Sequence, residues 1–508
     1  MKNKERRTIE LLLHFLFYCL ILSMAFAGCA PMEGTLEDIM KEAGAGAGTG
    51  TTVPKLPGSV SIIGDKWLNA TLAADTSKLF AYQWKRGGDS EFYNISGATG
   101  TTYTVVEADK GQDLYVTVTR IQSDESVTSA AFNIPIDAPT GIYDHTQLAD
   151  IVQDLNGNYI LGSDILIPDS TPGQDNTWIT WKPIGYISGS ETKSFAGTLD
   201  GNGKTINMGD QYFITVNSVP RTTFVNFGLF GIIGSGEVKN LKLTGKIRTT
   251  THNPVNPHFQ YFGSVAGVLG GGTIRNVSSS VRFEVEVQAG ISSSYTYRFI
   301  VGGLVGSVGA GGIVENCYYT GNIHAGGLNF TWVYAGGIAG ETSVYECYIQ
   351  NCWAQGGVTA VSANGIASAN GTAYAGGIIG YANKVTVQNC AALHTSANGV
   401  SAGSSDKSDV GRIIGYEDIS YKPTPLNNYA NDTMRVYPEG IPITSNANGK
   451  HGESVSPAAF QQASGSWWNS GTGPAWASVW GGANPTEDKP WKWMNNRPIL
   501  WFEQQINQ

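Results

Sequence analysis

The sequence predicts an all-β protein centred on a right-handed parallel β-helix over residues 158–435. Three observations predict it: a glycine unit that recurs at a coil-like interval, an asparagine in step with it, and a Gly-rich, charge-poor composition.

The glycine unit is two apolar residues bracketed by glycine. It reads Gly228-Leu229-Phe230-Gly231, Gly263-Ser264-Val265-Ala266-Gly267, Gly303-Leu304-Val305-Gly306, Gly337-Ile338-Ala339-Gly340 and Gly377-Ile378-Ile379-Gly380. A sixth copy is Arg412-Ile413-Ile414-Gly415, with Gly411 before it. Successive closing glycines lie 36, 39, 34, 40 and 35 residues apart. About ten residues after each of the first five comes an asparagine: Asn240, Asn276, Asn316, Asn351 and Asn389, with Asn428 expected to continue the row. Two marks holding step over this many repeats describe stacked coils. The apolar pair is a short strand facing the core, and the glycines let the chain bend where a Cβ would clash. An asparagine at one place in every coil can bond to the amide above it and form a ladder.

The composition agrees. Gly reaches 65 of 508 residues without a G-X-Y period, hydrophobics stand at 41%, aromatics at 11% and charged residues at 14%. That combination suits a β chain with many tight turns rather than a collagen or a disordered linker. A net charge of -9 gives no basic footprint, which excludes nucleic acid as a partner.

The N-terminus reads as a targeting segment, residues 1–28. Lys2, Lys4, Arg6 and Arg7 precede an apolar run from Leu11 that ends in Phe26-Ala27-Gly28-Cys29. Small residues before a cysteine resemble a bacterial lipobox, with Phe26 where leucine is usual. The resemblance implies that Cys29 is lipidated and anchors the chain to a membrane, with an outer-membrane or cell-surface position favoured. An uncleaved anchor and an ordinary secretory signal are the alternatives. Residues 29–57, with Gly44-Ala45-Gly46-Ala47-Gly48, read as a flexible tether.

Residues 58–137 alternate as strands, including Phe80–Trp84, Tyr103–Val106 and Leu114–Val118, and suggest a small β-sandwich. Trp84 in its Tyr-Gln-Trp strand resembles bacterial Ig-like domains, here without a cysteine pair, so Trp84 is expected to pack on aliphatics. Residues 141–158 form the one expected helix, with Asp144 or Thr146 as its cap and Leu148, Ile151 and Leu155 on one face. Placed before the first coil, it would cover the open end of the helix within a 141–435 domain.

The glycine and asparagine marks, with Trp181-Lys182-Pro183-Ile184-Gly185 and the run Phe195–Ile206 before them, resemble the GLUG motif of bacterial surface β-helix proteins. That resemblance covers residues 141–435 and implies display and adhesion more than chemistry.

No catalytic, metal or cofactor site is expected. Cys317, Cys352 and Cys390 follow the Asn row at the repeat spacing and read as a stack of small core residues. A disulfide between neighbouring coils, or between Cys347 and Cys352, is the other reading. Between residues 299 and 405 the only acids are Glu315, Glu341 and Glu346, too few for paired carboxylates on adjacent coils. Ligand binding is the favoured class. The segments 248–261, 285–299, 324–334, 358–374 and 394–409 vary most and must emerge along one flank. They carry Tyr295, Tyr297, Trp332, Tyr334 and Tyr374, whose rings suit a glycan or a protein loop; covering the last apolar strand is their alternative use. Residues 436–508 hold seven of the thirteen Trp and are expected to cap the last coil.

Overall fold

A computed structural model describes residues 59–503, apart from 75–79, 89–90, 121–124, 173–177, 189–190, 216–225, 253–258, 289–296, 329–330, 364–370, 398, 405–406, 439–441 and 463–464. Cys29, the tether and Tyr295 fall outside the described residues, as does the side chain of Tyr297.

The N-terminal module holds two antiparallel sheets. One pairs Ile62–Ile63, Thr71–Ala74 and Thr102–Thr104. The other orders Phe92–Asn94, Phe80–Gly87, Asp113–Arg120 and Ser126–Thr128. This arrangement is compatible with a sandwich. Alternating burial along Phe80–Gly87 puts Trp84 inside. There the indole stacks on Tyr103 at 5.5 Å and donates to the Gly100 carbonyl at 2.9 Å. Beside it the fully buried Asp109 carboxylate accepts from Arg86 Nε at 2.5 Å, the Tyr103 hydroxyl at 3.0 Å and Val106 N at 2.7 Å. A buried charge with three donors is a stable arrangement; losing one would cost ~1–3 kcal/mol.

The remainder is a parallel β-helix. Each coil runs through a strand of sheet 1 (Asn226–Phe227, Phe259–Gly263, Tyr297–Gly302, Thr331–Gly336, Thr372–Gly376, Lys407–Gly411). It bends at the glycine corner into sheet 2 (Phe230–Ile233, Ala266–Leu269, Val305–Val308, Ala339–Thr342, Ile379–Ala382, Ile414–Glu417). A third strand follows, then the Asn turn, a two- or three-residue strand, and a longer strand leading back to sheet 1. Register is strict: Phe227, Phe262, Val301, Ala335, Ala375 and Val410 form one inward column. These columns make one continuous buried core from Ile142 to Met434. Fully burying each Val, Leu or Ile contributes ~1.5–3 kcal/mol.

Both sequence marks have steric causes. The glycine that closes the sheet 1 strand, one residue ahead of Gly303, is required because a Cβ on Gly302 would sit 1.8 Å from the Val305 carbonyl oxygen. The next position is equally tight where glycine fills it, a Cβ on Gly303 lying 2.1 Å from the Gly337 carbonyl oxygen, but its residue varies between coils. It holds Ser264, Gly303, Gly337 and Gly377, and in the last coil a buried Arg412, whose Nε and Nη2 donate to the carbonyls of His451 and Gly452 at 3.0 and 3.1 Å. Asn240, Asn276, Asn316, Asn351 and Asn389 all adopt the left-handed region, with φ between 53° and 56°. Asparagine tolerates it better than other side chains. Their amides form a ladder in two runs, Asn276 to Asn240 at 3.0 Å, then Asn351 to Asn316 at 3.3 Å and Asn389 to Asn351 at 3.2 Å, with Asn276 Oδ1 left unpaired between them. Its next rung is Asn427, not Asn428: Asn427 has φ 54° and donates to Asn389 at 2.9 Å. Asn428 instead takes the inward place of the cysteine column and bonds Val387 O and Cys390 N.

Cys317, Cys352 and Cys390 are buried in that column as free thiols, and Cys347 is free as well. Burial pushes the Cys347 thiol up to about 12, so all the reactivity of a thiolate is suppressed there.

Three expectations are corrected. The helix is shorter, His145–Asp150 followed by a 3-10 turn Ile151–Gln153, because Asp144 caps it and the chain turns out again at Asp154. Leu148 and Ile151 enter the main core and Leu155 packs on it, as the stripe requires. Much of the variable flank is strand: Ile323–Leu328 and Thr331–Gly336, for example, extend their coil into a flattened fin. Only part of the 436–508 segment caps the last coil. That end is closed by residues 446–455, where Glu453–Val455 pairs with Tyr429–Asn431 and Lys450 O accepts from Ile413 N and Ile414 N. The tryptophans fold back along an outer face instead. Trp467, Trp468, Trp476 and Trp491 cluster with the outward Tyr318, Trp353, Ala391 and Tyr429. Glu487 reaches Lys239 at 2.8 Å and Arg275 at 2.6 Å, and a Cβ on Gly203 in the first coil would meet Phe502 at 2.7 Å.

Candidate functional site

Two outer surfaces bring functional side chains together. In sheet 1, alternation sends Val333 and Ala335 inward and Trp332 and Tyr334 outward. The glycine corner is concave on its outside, so the outer faces of sheets 1 and 2 touch. The closing glycine makes that possible: a Cβ on Gly340 would lie 2.6 Å from the Ile300 side chain and 2.8 Å from Val301 N. Tyr334 therefore stacks on Tyr381 at 4.9 Å, Tyr374 on Tyr416 at 4.4 Å, and Tyr334 on Tyr374 at 5.2 Å.

Tyr334 is 1% and Tyr374 4% exposed. The expectation that they present open faces to a ligand is thus corrected: outward on the strand, they are buried in the corner and their faces are spent on one another. Tyr381 and Tyr416 were missed in the sequence, although each directly follows a closing glycine, in the column of Ser307 and Glu341. Trp332 stays half-buried. The Arg298 guanidinium lies over it at 4.2 Å and over Phe259 at 4.7 Å. Glu341 sits in the same corner, where burial pushes its carboxyl up to about 7 against the opposing pull of Arg298 and a 3.2 Å bond from Ser307 Oγ. Tyr381 donates to Asp418 Oδ2 at 2.6 Å. The corner is a stack of rings with charged groups at its edges.

The other surface is a groove on the opposite side of the fin, a cavity of about 500 Å³. Its floor and one wall come from the strands after the Asn turn: Glu284, His324, Thr359, Ser401 and Tyr437 occupy one outward column. Asn322 anchors the floor by accepting from Gly357 N at 2.7 Å. Glu284 is held by Lys246 at 2.6 Å. Hydroxyls, an amide, an imidazole and exposed Tyr437 are groups that bond neutral polar ligands and stack on a ring face. Among the described residues no three His, Cys, Asp or Glu side chains gather to hold a metal. His394, fully buried, turns its ring nitrogens to the Gly356 and Gly377 carbonyls, and burial lowers its pKa.

The GLUG motif matches residues 298–323, the stretch from Arg298 through the Asn316 turn to Ile323. Among curated proteins no relative matches. Among solved structures the chain is similar to an IgA1 protease, at 14% identity and TM-score 0.30, over 72% of this chain and 30% of that one. It is also similar to the pectate lyase PelI from Erwinia chrysanthemi, at 11% identity and TM-score 0.13, over 78% of this chain and 100% of that one. The chain thus spans under a third of the IgA1 protease it matches.

Proposed function

We propose that this chain is a cell-envelope lipoprotein, anchored through Cys29, that presents its β-helix outside the cytoplasm and binds a glycan or protein ligand along one side of the rod. The observation that carries the binding half is the lengthwise polar groove, which gathers Glu284, His324, Thr359, Ser401 and Tyr437 from successive coils onto one line. An elongated surface built from repeated rungs suits an elongated ligand. The anchoring half rests on the basic segment, the apolar run and the small residues before Cys29. In this reading the protein binds without cleaving: the groove's Glu284 is neutralised by Lys246, and a lone carboxyl such as Glu341 lacks the paired acid that glycoside hydrolysis uses.

Palmitate labelling of expressing cells tests the anchor, with incorporation expected in the natural chain and lost in Cys29→Ala. A screen of the full chain in detergent micelles against glycans and matrix proteins tests binding. A second reading, a spacer with no specific ligand, is favoured by the tyrosine stack, whose ring faces are taken up by one another and by Lys407. Absence of any captured ligand would select the spacer, and release of soluble sugars by purified protein would select an enzyme.

A further inference from the structure

The register of the groove strands sets up a feature that neither its volume nor its polarity reveals. Phe283, Ile323, Val358, Val400 and Val436 are paired rung to rung as inward residues. The residues just before them therefore form one outward column: Arg282, Asn322, Gly357, Gly399 and Arg435. All five line the same cavity. Two arginines thus stand at its ends, four rungs apart or ~19 Å at the usual strand spacing, with an amide and two glycines between them.

Both arginines are exposed, and among the described residues neither has an ion-pair partner. That distinguishes them from Lys239, Lys246, Arg248 and Arg275 on the first coils, each of which is paired with a carboxylate. The glycine floor carries the second, independent observation. Most glycines of this chain are forced by a close backbone approach, yet a Cβ on Gly357 would meet nothing nearer than Asn322 Oδ1 at 3.5 Å, and its φ is not left-handed. Packing does not demand glycine there. What its missing side chain leaves is depth, midway between the arginines.

We propose that this groove binds a linear acidic oligosaccharide lying along the rod, with carboxylate or sulfate groups on Arg282 and Arg435 and the intervening sugars over Asn322, Gly357 and Gly399. The inference rests on the proposed ligand-binding function and supplies its ligand class. Guanidinium presents a planar fork matched to such anions. Thr359, Ser401 and Ser396 on the walls offer hydroxyls to sugar hydroxyls, and Tyr437, 58% exposed, offers a ring face at one end. A peptide strand is less well served, since the outward residues of the groove strands, the glycines and Tyr437 apart, are polar or charged and offer little to apolar side chains. The chain's net charge of -9 does not overrule the two arginines. At physiological salt the Debye length is ~8 Å, so contacts within the groove outweigh the distant charge.

The test uses the full chain in detergent micelles and isothermal titration with an oligogalacturonate of about six sugars, a trimer of it, a neutral xylo-oligosaccharide of equal length, and poly-glutamate. The hexamer is expected to bind, with affinity falling about tenfold in each of Arg282→Gln and Arg435→Gln and with added salt. Gly357→Gln, which fills the floor, should weaken binding comparably while leaving the thermal transition in place. A trimer too short to reach both arginines should bind as weakly as the single variants. Hexamer binding that ignores both arginine substitutions would overturn the site. Equal binding of the neutral oligomer would overturn the acidic class and leave the broader glycan reading standing. Poly-glutamate binding with the same arginine dependence, and no sugar binding, would assign the groove to acidic peptides instead. If none of these probes binds, the inference fails, and a hit from the general screen on other residues would separate that failure from failure of the proposed function.

Discussion

Replacing Asn351 isolates what one rung of the amide ladder contributes. Asn351 holds φ at 54°, donates to Asn316 Oδ1 at 3.3 Å and accepts from Asn389 Nδ2 at 3.2 Å. Alanine in the left-handed region costs ~1–2 kcal/mol, of which asparagine already bears part. Two side-chain hydrogen bonds contribute ~0.5–1.5 kcal/mol each. Asn351→Ala should therefore lose about 2–4 kcal/mol. Asn351→Gly gives up the same bonds but adopts the backbone freely, so it should be milder by about 1 kcal/mol after glycine's own entropy loss. Urea unfolding, followed by tryptophan fluorescence and far-UV circular dichroism, measures both; coincident transitions with an unchanged slope give the difference in free energy. Equal losses in the two variants would remove the backbone argument. A glycine variant as stable as the natural chain would show that the ladder bonds contribute nothing net.

Glu341 gives a pH-dependent prediction. Its carboxyl is at about 7 in the fold against an ordinary 4.5, so the native state holds a proton that the unfolded chain releases between those values. Stability contributed at this site is thus greatest below 4.5, falls as pH rises through the window, and carries its full penalty above about 7. The shift corresponds to at most ~3 kcal/mol, less for solvent screening at the partly open corner. Glu341→Gln should raise the melting temperature at pH 8.5 and leave it unchanged near pH 4; parallel melting curves at both would sink the assignment. At the glycine corner, Gly302→Ala drives a Cβ to 1.8 Å from the Val305 carbonyl and should cost over ~3 kcal/mol or prevent folding, whereas Gly357→Ala should stay within about 0.5 kcal/mol. Comparing the soluble yield and unfolding midpoint of the two decides it, and equal effects would refute the steric account. Trp476 is fully buried, stacks on Trp491 at 4.6 Å and donates to Asn389 O at 2.8 Å. Trp476→Ala should cost ~3–5 kcal/mol and open residues 457–503 to protease while the coils resist, a pattern that limited digestion reads directly. Uniform resistance would show that the strap holds without it.

The parts of this fold that were legible in the sequence are those fixed by backbone sterics. Glycines before the apolar pair and asparagines in the left-handed turn admit few substitutes, so they recur in register and can be counted. The shift from Asn428 to Asn427 arose because two asparagines are adjacent, and only backbone conformation decides which one turns and which one points inward. The fin strands were hidden for a different reason. Segments such as Val358–Ala363 and Thr372–Gly376 are built, Tyr374 apart, from alanine, threonine, valine, serine and glycine, with little contrast between faces. The tyrosine corner needed the third dimension, since residues outward on a strand become buried only where two sheets meet at a concave bend. The path of the tryptophans had a readable signal: Tyr318 and Trp353 both follow a column cysteine and stand at the outward position of one repeat place. Large aromatics stacked outward at 4.5 Å imply a covering layer, and the Trp-rich tail was available to supply it.

That covering layer has a consequence for how the molecule comes apart. A stack of coils touching only its neighbours frays from its ends, because each unit is held by local interfaces alone. Here the last segment of the chain runs back along the stack. It touches Asn427 and Asn389 near one end, Tyr318 in the middle and Lys239 near the other, across up to 248 residues of sequence. Opening a terminal coil must then also loosen a contact made by the strap, so coils distant from one another share one unfolding event. The strap follows the coils in the sequence, so it is synthesised after them, and its docking surface is complete only when every coil is formed. Its attachment therefore works as a final check that links the first rung to the last, converting a row of separately stable units into one cooperative body.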